Sequence, residues 1–164
     1  MRTALGLVLV VATIMGLHHH YGERKEDWRG AATLVAAGSR PDDPIFFVHF
    51  GAQLPFDRYF TGPQPRIGLP ADFRWEDGYT ARYRVTLDDV QRRVPPILAG
   101  RSQAWVVLSH DAGRGGEKVL AFLDRWGNRA ADHSLQGIRV VRFQRGPGAE
   151  SEVSRLNSQV AGPG

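Results

Sequence analysis

The spacing of apolar positions divides the 164-residue chain into blocks of different period. Residues 4–17 form an uncharged apolar run with Arg2 before it, and His18, His19, His20 and Tyr21 follow at once. With its flanks the run supplies roughly 15–19 residues, the lower limit for a membrane-spanning helix, and it also fits a signal-peptide core or a buried helix. The bulky residues after Leu17 stand where a small-x-small cleavage site belongs, so an uncleaved anchor over 1–22 is the leading expectation. Arg2 favours an inside N-terminus, whereas Arg24 and Lys25 on the far flank blunt that preference.

Beyond the run the period changes to that of an α/β domain over 23–145. Trp28, Ala31, Ala32, Val35 and Ala36 recur at helical spacing behind Glu26 and Asp27, which predicts a helix over 26–37. Gly38 ends it, and 40–44 (Arg-Pro-Asp-Asp-Pro) forms a turn. Residues 45–50 are nearly all apolar between turn signals, the pattern of a strand covered on both faces. Residues 51–84 are rich in Gly, Pro and aromatics; a short helix is expected over 53–60 and irregular chain over 61–83. Thr86 or Asp88 caps a helix running to Leu98 with a break near Pro95 and Pro96. A second buried strand is expected over 104–109, an amphipathic helix over 116–126, and strands over 129–135 and 138–144 joined at Gln136 and Gly137.

This order predicts an N-terminal transmembrane helix followed by a small three-layer α/β/α domain with a mostly parallel sheet. Residues 146–164 open on Gly146-Pro147-Gly148 and read as a flexible tail.

Composition narrows the function classes. Hydrophobic residues make up 42% and charged residues 23% of the chain, enough to bury a single core. The net charge of +4 comes mainly from arginines scattered along the sequence, so no nucleic-acid partner is expected. The absence of cysteine excludes disulfides, thiolate metal sites and cysteine catalysis. No Glu-x-x-His or His-x-x-x-His pair is present, so neither a metal nor a cofactor is expected.

Candidate chemistry lies at strand ends, because open parallel sheets bind ligands beyond their carboxyl edges. Both apolar strands carry histidine there: His49 ends the first, and His110 with Asp111 follows Ser109 at the end of the second. If the strands are neighbours, these residues share one edge with Asp57, Arg58 and Tyr59 of the long loop. The six form a candidate polar pocket for an anionic group. Ser109, His110 and Asp111 are triad residue types, but adjacent residues on extended chain point to alternate sides and form no relay, so no catalytic residue is assigned. The loop 113–118 lacks phosphate-loop spacing and reads as a simple helix entry.

Several stretches together resemble the carboxyl-terminal end of bacterial dolichyl-phosphate-mannose protein mannosyltransferase-like membrane glycosyltransferases. They are Leu17 to Tyr21, Lys25 to Ala32, Ile45 to Phe50 with Leu54 to Phe60, Trp105 to His110, and Gly137 to Phe143. The resemblance implies a last transmembrane helix leading into an extracytoplasmic α/β domain at the bacterial inner membrane, facing the periplasm or cell exterior. It also implies membrane lipid, a polyprenyl-phosphate sugar and a multi-span glycosyltransferase core as partners. The family's catalytic carboxylate lies in an early loop with no counterpart here. The expected role is therefore an accessory domain or fragment, part of an enzyme but not catalytic alone. The alternative is a self-sufficient membrane-anchored binding module for a glycan or phosphate group.

Overall fold

The helix expected over 26–37 forms as α1 (Trp28–Gly38) in a computed structural model that describes residues 25–70, 85–109 and 115–148. Asp27 caps it by accepting the Gly30 N–H at 2.8 Å, while Trp28, Ala31, Ala32 and Val35 supply its buried stripe. The turn after α1 closes on Asp43, 3% exposed, whose carboxylate accepts the Arg40 backbone N–H at 2.6 Å and Gln103 Nε2 at 2.7 Å.

Strand β1 (Ile45–Val48) is buried along its whole length, as its unbroken apolar run predicts. It stops two residues earlier than expected, because His49 turns the chain into a 3₁₀ segment (Phe50–Ala52) that leads into the short α2 (Gln53–Asp57). Strand β2 (Arg66–Leu69) corrects the expectation of irregular chain over 61–83. Four residues containing a glycine between Pro65 and Pro70 carry too little apolar pattern to be read as a strand.

Thr86 and Asp89 form a reciprocal capping box at the start of α3 (Leu87–Leu98). This helix continues through Pro95 and Pro96 rather than breaking there; Val94 and Leu98 are buried, and the Ala99 N–H reaches the Pro95 carbonyl at 3.1 Å. Each proline forfeits the N–H that would bond back into the preceding turn, and the helix ends within one turn of them. Strand β3 (Gln103–Ser109), helix α4 (Gly116–Trp126), strand β4 (Gly127–Leu135) and strand β5 (Ile138–Arg145) complete the described chain.

The five strands form one sheet in the order β2-β1-β3-β5-β4. β2, β1 and β3 are mutually parallel, whereas β5 is antiparallel to both β3 and β4. The sheet is thus mixed, not mostly parallel: Gln136 and Gly137 are too short a link for a parallel crossover and oblige a hairpin. Alternation along β1 and β3 divides the core. Ile45, Phe47, Trp105 and Val107 pack under α1 and α2, while Phe46, Val48, Val106 and Leu108 pack under α3 and α4.

No helix among the described residues is long and apolar enough to cross a membrane. The anchor expected over 1–22 lies outside the described residues, as does the tail from residue 149 onward.

Candidate ligand site

The chain reverses its direction of travel across the sheet at β1. From β1 it passes through α2 to β2 on one side, then through α3 to β3 on the other. In open α/β sheets the carboxyl ends of the strands flanking such a reversal leave a crevice that no crossover covers. Here those strands are β1 and β3, and the register pairing Val48 with Leu108 brings His49 and Ser109, the next residue of each, to the same edge.

His49 is fixed from two sides. Its Nδ1 accepts the Gly51 N–H at 3.2 Å, and its ring stacks on Phe50 at 4.7 Å between centroids. With Nδ1 engaged as an acceptor, a neutral imidazole carries its proton on Nε2. Phe50 in turn lies against Gly68 of β2, where a β-carbon would come within 2.7 Å of Phe50 Cβ. Glycine at 68 therefore permits the turn that presents His49.

Ser109 is 3% exposed, and its hydroxyl donates to Glu26 Oε1 at 2.6 Å. Glu26 Oε2 accepts the Trp28 indole N–H at 3.0 Å, and the Asp27 backbone N–H donates to the Gln136 carbonyl at 3.0 Å. Gly137 holds φ at +68°, as the tight turn between β4 and β5 requires, and a β-carbon there would stand 2.8 Å from Glu26 Cγ. The segment entering α1 is thereby strapped across the carboxyl ends of β3 and the amino end of β5. Periodicity marks Glu26 only as a residue of the first helical turn; its contact with Ser109, 83 positions away in sequence, has no local signature.

Other chain ends meet at this edge. Gly115, which opens α4, has its β-carbon direction 3.4 Å from Val85 and 3.5 Å from Val48, and Lys118 Nζ donates to the Val85 carbonyl at 3.0 Å. The chain between Pro70 and Val85 and the chain between Ser109 and Gly115 thus re-enter the described structure side by side, next to the end of β1.

Of the six residues proposed from sequence, His49, Asp57, Arg58 and Tyr59 are among the described residues. Asp57 pairs with Arg66 Nη1 at 3.3 Å and accepts Gln53 Nε2 at 3.3 Å. Arg66 opens β2 at the end of the strand opposite Leu69, and its Nη1 also donates to the Phe60 carbonyl, so Asp57 serves the packing of α2 on the sheet. Arg58 is exposed just past α2, and Tyr59, 45% exposed, lies beneath Arg29 of α1 at 5.6 Å. The short helix α2 follows His49 in the chain, and Asp57 and Tyr59 make their contacts with β2 and α1. His110 and Asp111 lie outside the described residues. Among the described residues no cluster of His, Asp or Glu is suited to hold a metal.

No family model matches this chain, and no curated protein matches it. A solved protein-(glutamine-N5) methyltransferase, specific for release factors, from Alicyclobacillus acidocaldarius aligns with 73% of this chain and 90% of its own at 13% identity and a TM-score of 0.35. A likeness of that degree carries no statement about activity. The expected kinship with polyprenyl-phosphate-dependent membrane glycosyltransferases is withdrawn, since neither a family model nor a curated protein supports it. The accessory-domain role and its anchored glycan- or phosphate-binding alternative fall with it.

Proposed function

We propose that this chain is an α/β domain that takes a small polar ligand at the carboxyl edge of its parallel strands, between the end of β1 at His49 and the end of β3 at Ser109. The supporting observation is the reversal of chain direction between β1 and β3, the arrangement at which open α/β sheets bind ligands. His49 faces this edge with its ring orientation set by Gly51 and Phe50. The Ser109–Glu26 hydrogen bond braces the neighbouring strand end. Ser109 acts as a brace in this reading rather than as a nucleophile, because its proton is directed to Glu26 and the residue is almost fully covered.

The test is a fragment screen on the full-length chain read by amide chemical shifts. Bound fragments are expected to perturb His49, Gly51, Ser109 and Gly115 together, and His49→Ala should weaken those hits by about tenfold, the effect of losing one good hydrogen bond. Hits confined to other surfaces, or hits indifferent to His49→Ala, would overturn the reading.

A further inference from the structure

At the other end of the sheet, two N–H donors are buried without an acceptor: Trp105 Nε1 and Arg142 Nε. They belong to residues directly opposite each other in the β3–β5 ladder, and the Arg142 guanidinium lies 5.7 Å from the centre of the Trp105 ring. Trp105 is 3% exposed, so its indole N–H has no recourse to bulk water. A buried donor left unmatched costs about 1–3 kcal/mol, and more for a charged group.

The behaviour of the other arginines shows what Arg142 Nε is suited to. Arg129 uses Nε and Nη2 to grip Asp124 at 2.8 and 2.8 Å, and Arg139 uses the same edge on Asp132 at 2.8 and 2.6 Å. Arg92 grips Asp88 through the same pair of nitrogens. This fork matches the two oxygens of a carboxylate. Arg142 has no carboxylate partner among the described residues. It lies beside the carbonyl end of α1, where a β-carbon on Gly38 would stand 3.4 Å from Arg142 Nη1 and 3.0 Å from the Trp105 ring. Helix carbonyls offer only a partial charge, and they leave the Nε donor unmatched.

We propose that Arg142 and Trp105 form a carboxylate-binding site between the end of α1 and the β3–β5 ladder. The guanidinium fork takes the two oxygens, and the indole N–H donates to one of them. The half-exposed Arg142 side chain turns as the acceptor enters, since its Nε edge is covered in the unliganded geometry. The carboxylate is that of a small free acid anion.

Nitrogen-15 spectra of the full chain test this directly, using sodium acetate as the probe against sodium chloride at matched ionic strength. The Trp105 indole resonance is assigned from Trp105→Phe, and Arg142→Lys keeps the positive charge while removing the fork. A saturable acetate shift of the Trp105 indole and Arg142 Nε resonances, with affinity about tenfold weaker or worse in Arg142→Lys, supports a free carboxylate. Shifts matched by chloride or unchanged in Arg142→Lys overturn the proposal. So does silence under acetate, which leaves buried water as the acceptor.

Discussion

Every residue of β1 is buried, and six of the seven residues of β3 are too, whereas β4 exposes most of its length on both faces. The parallel half of the sheet is covered by helices on either side, so alternate side chains of β1 feed two separate cores. The antiparallel half ends in an edge strand with a bulge between Arg129 and Ala131, and it is laced with ion pairs: Arg129 to Asp124 and Asp132, and Arg139 to Asp132. Bulges and charges on an edge strand discourage pairing with other chains. The contrast teaches that apolar burial specifies the parallel half, whereas pairing with β5 and surface charge shape the outer hairpin. The two halves should therefore respond to different kinds of substitution.

The largest effect is expected in the parallel half. Phe47, fully buried against Phe56 at 5.0 Å between ring centres, should cost about 3–5 kcal/mol when changed to Ala, measured by denaturant unfolding. A comparable loss from Asp132→Ala in the hairpin would break the comparison, because exposed ion pairs contribute at most about 1 kcal/mol.

Gly127 is a place where β4 should prove intolerant although most of that strand is exposed. A β-carbon there would overlap the Gln144 carbonyl oxygen, a backbone atom that cannot swing aside. Gly127→Ala should lower stability by about 1–3 kcal/mol and loosen the pairing of β4 with β5, read by hydrogen exchange of the β5 amides. Normal exchange in that variant would show that the outer hairpin can shift as a unit.

Those two sites also mark how far the sequence could be read. The apolar runs at 45–48 and 104–108 declare buried strands, and the spacing of Trp28, Ala31, Ala32 and Val35 declares α1, because burial leaves a periodic trace. β2 leaves none: Arg66, Ile67, Gly68 and Leu69 become a strand only because β1 offers a partner. The antiparallel setting of β5 against β3 was likewise hidden, since both parallel and antiparallel strands read as apolar runs. At the site, His49 was legible as a polar residue ending an apolar strand. Glu26 was not, because its partner Ser109 is brought to it by the fold alone, and the pairing of Asp57 with Arg66 was no more legible.

Ser109→Ala sharpens the comparison where the two halves meet. It removes the hydroxyl that holds Glu26 and should cost about 1.5–3 kcal/mol, the range for a hydrogen bond to a charged group. Exchange should rise at Asp27 and at the Gln136–Gly137 turn, while α3 stays protected. Equal protection throughout would mean that the Asp27 to Gln136 backbone bond holds the strap unaided.

The smallest effect concerns acid. The hydrogen bond from Arg139 holds the Asp132 carboxyl below its ordinary range, with Arg139 and Arg129 charges adding to this against a desolvation penalty. A carboxyl with a depressed folded-state pKa adds stability above its unfolded pKa of about 3.9 and loses it as pH falls through the folded value. Asp132→Asn should therefore lower stability slightly at neutral pH, by less than about 1 kcal/mol, and the gap should close in acid. A gap that persists at about pH 2 would point to shape rather than charge.

The crowding of chain ends beside β1 has a consequence for how such a domain diversifies. Val85 and Gly115, where the chain returns after Pro70 and after Ser109, stand at one rim beside the end of β1, while β1 and β3 are buried in the core. Insertions or exchanges in the chain leaving and returning at this rim would not move a single buried strand. The architecture thus separates inheritance of the scaffold from inheritance of its specificity, so that close copies of this fold could keep their cores and still recognise different molecules.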